Sequence, residues 1–165
     1  MIHFPPTFDL RADRFWVLVS GKTVDGQYAV VETLAHQGFE LPVHVHQSED
    51  ELLVVLSGRV CVWIGLEERQ LVAGETLRLA RGVPHAVRLE TTTARLLTIY
   101  RPGGFEHYLE AVAQPVLPFQ PLPDPQAVGP PDVPLLVMTA QRYGLEYFPE
   151  LPGSTVSAHG NAQED

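Results

Sequence analysis

The stretch whose reading decides the fold is LPVHVHQSEDELLVVLSG, residues 41–58. In an extended strand, residues i and i+2 point to the same face, so His44 and His46 project together. The polar run Gln47-Ser48-Glu49-Asp50 reads as a turn, and Glu51 opens the next strand. A third imidazole, His85, arrives from the later segment RGVPHAVRL, residues 81–89. Three imidazoles and one carboxylate are a donor set suited to a divalent transition metal of borderline softness. An antiparallel barrel whose inner wall carries these four side chains brings them together.

Outward from this stretch the chain reads as nine short strands. They are Phe15–Ser20, Gln27–Ala35, Glu40–His46, Glu51–Ser57, Arg59–Gly65, Arg69–Ala73, Thr76–Ala80, His85–Glu90 and Ala94–Arg101, with turn signals at Gly21-Lys22, Gly58, Gly74-Glu75 and Arg81-Gly82. Strands rich in β-branched and aromatic residues at intervals of about 8–12 residues predict an all-β sandwich or barrel. The runs LLVVL (52–56) and VCVWI (60–64) are apolar throughout, so both of their faces need cover. LSGRV (56–60) carries a tight-hairpin signal with Gly58 at the turn.

Before Phe15, residues 1–14 read as an irregular arm, or as a strand pairing with a partner. The strand pattern ends at Arg101-Pro102-Gly103-Gly104. Phe105, Tyr108, Leu109 and Val112 then fall at helical spacing. The proline-rich segment Gln114–Pro134 reads as an extended surface connector. Leu135–Phe148 reads as a second short helix, with Leu135, Leu136, Met138 and Tyr143 toward the barrel. The expected organisation is an arm at 1–14, a barrel at 15–101, a tail at 102–151 and a disordered end at 152–165.

Composition narrows the function. The chain has 165 residues, enough for one domain with its own core, and 45% are hydrophobic. The formal net charge of −9, without any Lys/Arg run, argues against nucleic acid or an anionic membrane as partner. A small neutral or weakly acidic organic ligand fits better. The one cysteine, Cys61, excludes an intrachain disulfide and reads as a buried small hydrophobe. No basic, apolar leader pattern opens the sequence, and no apolar stretch reaches the roughly 18 residues of a membrane span. A cytoplasmic location is the expectation.

Glycine spacing links the four candidate ligands to a known family. The chain reads Gly38-x5-His44-x-His46-x4-Glu51-x6-Gly58, then Gly74-x5-Ala80-x-Gly82-x2-His85-x3-Leu89. This resembles the two motifs of the cupin superfamily, G-x5-H-x-H-x(3,4)-E-x6-G and G-x5-P-x-G-x2-H-x3-N. Every defined position of the first motif is matched. In the second, Ala80 replaces the proline and Leu89 the asparagine. The resemblance implies a double-stranded β-helix, or jelly-roll, barrel holding a metal on His44, His46, Glu51 and His85. The six-residue spacing to Gly58 selects Glu51 over Glu49 and Asp50, and Glu49 is expected to face solvent. His36 is a neighbouring-strand residue, either a bystander or within reach of the pocket. His3, His107 and His159 have no partners at useful spacing. Trp63, Phe39, Tyr28 and Tyr100 read as core aromatics, one or two of which line the pocket.

Within the superfamily the chain is similar to single-domain bacterial cupins of the quercetin 2,3-dioxygenase-like type. Gly104-Phe105-Glu106 and Arg142-Tyr143-Gly144-Leu145-Glu146-Tyr147 carry that likeness. It implies a dioxygenase using one divalent metal (Fe, Mn, Ni, Co, Cu or Zn) and dioxygen on a flavonol-like substrate, with Glu51 as ligand and catalytic base. It also implies a homodimer. Two alternatives stay open. One is another metal-cupin chemistry, such as sugar-phosphate isomerisation, which needs inward-facing basic residues among Arg59, Arg78 and Arg88. The other is a non-catalytic small-ligand-binding cupin. Such a regulator usually carries a fused DNA-binding domain, and a barrel beginning at about residue 15 leaves no room for one, so a free-standing enzyme is expected.

Overall fold

The computed structural model describes residues 4–38, 40–117 and 119–148. Phe39, His3, His159 and the 152–165 end lie outside the described residues. Two antiparallel sheets face each other. The larger is ordered β11-β1-β2-β3-β10-β5-β8, and the smaller β12-β4-β9-β6-β7. The strands are β1 (Thr7–Leu10), β2 (Asp13–Val19), β3 (Ala29–His36), β4 (His44–His46), β5 (Asp50–Ser57), β6 (Arg59–Ile64), β7 (Glu67–Val72), β8 (Thr76–Leu79), β9 (His85–Leu89), β10 (Thr93–Arg101), β11 (Gln114–Val116) and β12 (Leu145–Tyr147). Two helices, α1 (Phe105–Val112) and α2 (Val133–Arg142), follow the barrel strands.

Alternation places the core. In β10, Ala94, Leu96, Thr98 and Tyr100 turn inward, while Thr93, Arg95 and Arg101 are exposed. Glu51, Leu53 and Val55 do the same in β5, and His44 and His46 in β4. The apolar runs are covered unequally. Val60, Cys61 and Val62 are all fully buried, but Leu52 and Leu56 on the outer face of β5 stay exposed.

Gly58 does not turn a hairpin. β5 pairs with β10 and β8, whereas β6 pairs with β7 and β9, so the chain changes sheets at this residue. Its φ of 86° lies in the left-handed region, and an added Cβ would stand 2.7 Å from the Thr93 carbonyl. Both facts demand glycine. A corner and a hairpin look alike in sequence, because each needs only a positive φ between two apolar strands.

The arm and tail differ from expectation. Residues 7–10 form a strand hydrogen-bonded within the chain, between β2 and β11. Part of the proline-rich connector is thus the sheet edge, where Pro115 lacks a donor at little cost. Buried Arg14 fastens the layer. It donates to both Asp9 carboxylate oxygens (2.7 and 2.8 Å) and to the Gln120 and Pro121 carbonyls (2.6 and 3.0 Å).

In α1, Phe105, Tyr108 and Leu109 are buried as the spacing predicts. So is Glu106, whose carboxylate accepts from the Gly21 and Gly104 N–H groups (2.7 and 2.9 Å) and docks the helix on the β2–β3 connection. In α2 only Leu136, Thr139 and Ala140 are buried; Leu135 and Met138 point to solvent, against expectation. The helix stops at Gly144 (φ 72°), and residues 145–147 form β12 instead of a last turn. Its partner is β4, with Leu145 opposite His46 and Tyr147 opposite His44.

Candidate metal centre

The four predicted side chains converge. One ligand atom from each of His44, His46, Glu51 and His85 lies within 4.8 Å of every other, and all four residues are buried. Neighbouring strands supply them: His44 in β4 faces His85 in β9, and Glu51 follows in β5 across the barrel interior.

The imidazoles are held in one tautomer. His44 Nδ1–H donates to the Pro42 carbonyl (2.8 Å), and His85 Nδ1–H to the Val83 carbonyl (2.9 Å). Those oxygens only accept, so the proton must sit on Nδ1. His46 Nδ1–H donates to Glu49 Oε2 at 2.8 Å. Each Nε2 lone pair is left facing the cluster, in the outer-sphere arrangement that orients metal-bound histidines. His46 Nε2 and His85 Nε2 are buried without a hydrogen-bond partner. His85 Nε2 lies 2.9 Å from Glu51 Oε2, yet the pair is not aligned as a hydrogen bond. Orphaned, buried, convergent nitrogens beside a carboxylate fit a cation.

The electrostatics agree. Burial, reinforced by its two histidine neighbours, pushes His44 down to about 3 and keeps it neutral. Burial works to raise Glu51, but the three imidazoles outweigh it and hold the carboxyl at about 2. Burial opposes protonation of His85, yet the adjoining Glu51 carboxylate raises it overall. The same carboxylate charge would favour a divalent cation at the centre. Burial and Glu51 raise the Tyr100 phenol well above its usual range, leaving it a donor at the cavity wall.

Glu49 corrects the expectation of a solvent-facing residue. It is 3% exposed, accepts from His46, and lies under Gly104, where a Cβ would collide with Oε1. A carboxylate three residues after the second histidine was the available signal. Asp50, the other competitor, turns outward to Arg78 (3.2 Å) and Arg81 (3.1 Å). Phe105 stacks on Tyr100 (ring centroids 4.5 Å) and closes over His46 (5.3 Å). Gly104-Phe105-Glu106 therefore has a physical reason: close approach to Glu49, a lid on His46, and a docking carboxylate. Among the other aromatics, Trp63 sits beneath Arg88 (4.9 Å) and Tyr28 is exposed. His36 is beside Asp13, with Nδ1 at 3.5 Å from its carboxylate.

A cavity of about 100 Å³ adjoins the cluster, bordered by His44, Glu51, His85, Thr98, Tyr100 and Phe105 among others. Among the described residues that line it there is no Lys or Arg. Arg59, Arg78 and Arg88 are all exposed, so the inward cations that a sugar-phosphate site requires are missing from these three positions.

The cupin domain family matches residues 30–100. Quercetin 2,3-dioxygenase of Bacillus subtilis (strain 168) is 26% identical over 99 residues, which is 60% of this chain and 29% of that protein. Similar solved structures include KdgF from Halomonas sp. (TM-score 0.55, 15% identity, covering 61% of this chain and 91% of that one). Another is an RmlC-like cupin from Shewanella frigidimarina NCIMB 400 (0.54, 18%, 65% and 96%). A third is a predicted oxalate decarboxylase from Thermotoga maritima (0.55, 15%, 62% and 99%). At these identities the structural likeness speaks to the fold. With both motifs in register and two facing antiparallel sheets, residues 30–100 match the cupin domain family, and the fold is the cupin double-stranded β-helix.

Proposed function

We propose that this cupin is a metal-dependent oxygenase acting on a small enolic or phenolic substrate, with His44, His46, His85 and Glu51 as the metal ligands. The observation that carries the reading is the buried meeting of three oriented Nε2 atoms and one carboxylate beside a cavity. A divalent metal held there would bear a net charge of about +1 with these ligands, lower the pKa of a bound enol or phenol and, if redox-active, couple the substrate to dioxygen.

The chain's own groups do the rest. Glu51, the one carboxylate of the cluster, is the group placed to accept the substrate's hydroxyl proton. Tyr100, kept protonated, offers a hydrogen bond to a substrate oxygen. Phe105 and the aliphatic wall exclude water. In this reading residues 15–101 are the catalytic barrel and 102–151 a tail that shapes its mouth. The protein acts as a homodimer in the cytoplasm; the apolar outer face of β5 and β10, where Leu52 opposes Ile99 and Val54 opposes Leu97, supports the dimer.

The test is reconstitution with iron, manganese, nickel, cobalt, copper or zinc in turn, followed by oxygen consumption with quercetin. Oxygen uptake with loss of flavonol absorbance is expected with at least one redox metal. Glu51→Gln should retain part of the metal and lose turnover. Bound metal and bound quercetin without uptake by any form would replace the oxygenase reading with a ligand-binding cupin.

A further inference from the structure

The cavity at the metal cluster does not end the accessible space. A second cavity of about 430 Å³ lies between the arm and the tail, walled by Leu10, Pro131, Val133, Val137, Tyr147 and Phe148. Four residues border both spaces: Asp13, Phe15, Glu40 and Leu41. They form a neck between the mouth of β2 and the segment entering β4.

Two of the four are acids in different situations. Glu40 is fully engaged, since its oxygens accept from the Gly38 N–H (2.8 Å) and the Leu89 N–H (2.9 Å). Asp13 shares the inward face of β2 with Phe15 and is 6% exposed. Its Oδ1 accepts the His36 N–H at 2.8 Å. The groups facing it are His36, Glu40 and Arg11. A backbone N–H on one oxygen fixes the carboxyl while leaving it capacity for a further bond.

We propose that the two cavities form one bipartite ligand site in which Asp13 is a specificity-determining residue at the neck, selecting an uncharged, hydroxyl-bearing ligand with an apolar body. This rests on the reading that an oxygen donor binds at the metal cluster. The inner space takes only a small head group, because even benzene fills a cavity of about 150 Å³. The outer space is of the size and apolar character that holds the body of an organic ligand. Passing the neck, the ligand meets two acids and, among the described lining residues, one cation, Arg11. An anionic substituent there is repelled, while a hydroxyl finds a partner in Asp13.

Burial raises Asp13 to about 7, with Glu40 adding and the His36 N–H and Arg11 opposing. Near neutrality Asp13 therefore donates or accepts, and above that pH its full charge strengthens the rejection of anions.

The test is titration of the metal-loaded protein with quercetin, with a sulfonated quercetin, and with acetohydroxamate, an oxygen donor small enough for the inner space. In the parent, the preference for quercetin over its sulfonate is expected to widen from pH 6 to pH 8. Asp13→Asn, whose free amide group donates to a hydroxyl but cannot accept from one, should weaken quercetin by about tenfold at pH 8, where the charge-assisted bond to the carboxylate is lost, and flatten that pH trend. Val137→Trp, which narrows only the outer space, should weaken quercetin while leaving acetohydroxamate within about twofold of the parent. An Asp13→Asn protein with parental affinity and parental pH trend overturns the role of Asp13. A parent that takes acetohydroxamate but not quercetin overturns the bipartite site. Quercetin binding without oxygen uptake leaves this inference standing and removes the oxygenase reading alone.

Discussion

The two halves of the barrel interior share β3 and β10 and differ in their other elements and in their contents. One half is aliphatic: Ala35, Leu53, Val55, Val60, Val62, Leu71, Leu79, Leu89, Ala94 and Leu96. The other is aromatic and clad by the tail: Phe15, Ala29, Val31, Tyr100, Phe105, Tyr108, Leu109, Leu136, Ala140 and Leu145. β3 gives Ala35 to the first half and Ala29 and Val31 to the second, with Thr33 between them. β10 divides in the same way about Thr98. The aliphatic half needs only inward apolar side chains from barrel strands. The aromatic half needs partners from residues 105–147 to cover it; the outer cavity lies on its side, while the inner cavity lies between the halves, with Phe15, Tyr100 and Phe105 on one side and Leu53, Leu79 and Leu96 on the other. The aliphatic residues away from the inner cavity, Val55, Val60, Val62, Leu71 and Ala94, serve stability alone.

The largest expected effect breaks the chemical half alone. His44→Ala or His85→Ala should abolish metal binding and leave the β-sheet circular dichroism of the parent, because each side chain serves the cluster and contributes little to either core. Stoichiometric metal in either variant would remove that residue from the ligand set. The converse substitution lies in the aliphatic half. Leu71→Ala should cost about 2–5 kcal/mol of stability in denaturant titration, the usual effect of deleting a buried leucine. It should leave metal affinity unchanged under native conditions. A loss of metal affinity in that variant would show that the halves are coupled.

A finer break tests whether the tail supports the site. Glu49 fixes His46, and Gly104 allows Glu49 its position. Glu49→Gln and Gly104→Ala should each weaken metal binding by about 10–100-fold, the usual cost of disturbing an outer-sphere partner. Isothermal titration with the working metal would measure it. The pairing of β12 with β4 points the same way: removing residues 104–151 takes away a strand that braces His44 and His46, as well as a cap over the mouth.

The aliphatic half and the four cluster residues were legible in the sequence for a simple reason. Period-two alternation and glycine spacing are local signals, and they place His44, His46, Glu51 and His85 without any knowledge of the tail. Glu49 was misread because turn composition argues for solvent, whereas its burial depends on Gly104, fifty-five residues later. β12 was missed because Leu145–Tyr147 continues the apolar pattern of α2, and only the positive φ of Gly144 divides them. Asp13 gave no signal, since one acid at the start of a strand looks like any surface residue until the neck is assembled around it. Gly58 was read correctly as a chain reversal and wrongly as a hairpin, because which sheet the next strand joins is a long-range property.

The smallest predicted effect concerns Asp13 as a cost to the fold. Its carboxyl is raised to about 7 in the folded chain against an ordinary value of 3.8, chiefly by burial. Between those values the folded state holds a proton that the unfolded state has released. Stability must therefore fall as pH rises through this window, and above about 7 the full penalty of a buried charge applies. Asparagine keeps the oxygen that accepts the His36 N–H and carries no charge at any pH. Asp13→Asn should thus match the parent near pH 4 and exceed it by about 1–2 kcal/mol at pH 8, read from denaturant midpoints of the metal-free protein. Equal gains at both pH values would mean that the benefit comes from packing. No gain at pH 8 would mean that Arg11 and the neck already accommodate the charge, and the mouth would then hold a permanent carboxylate rather than a titrating one.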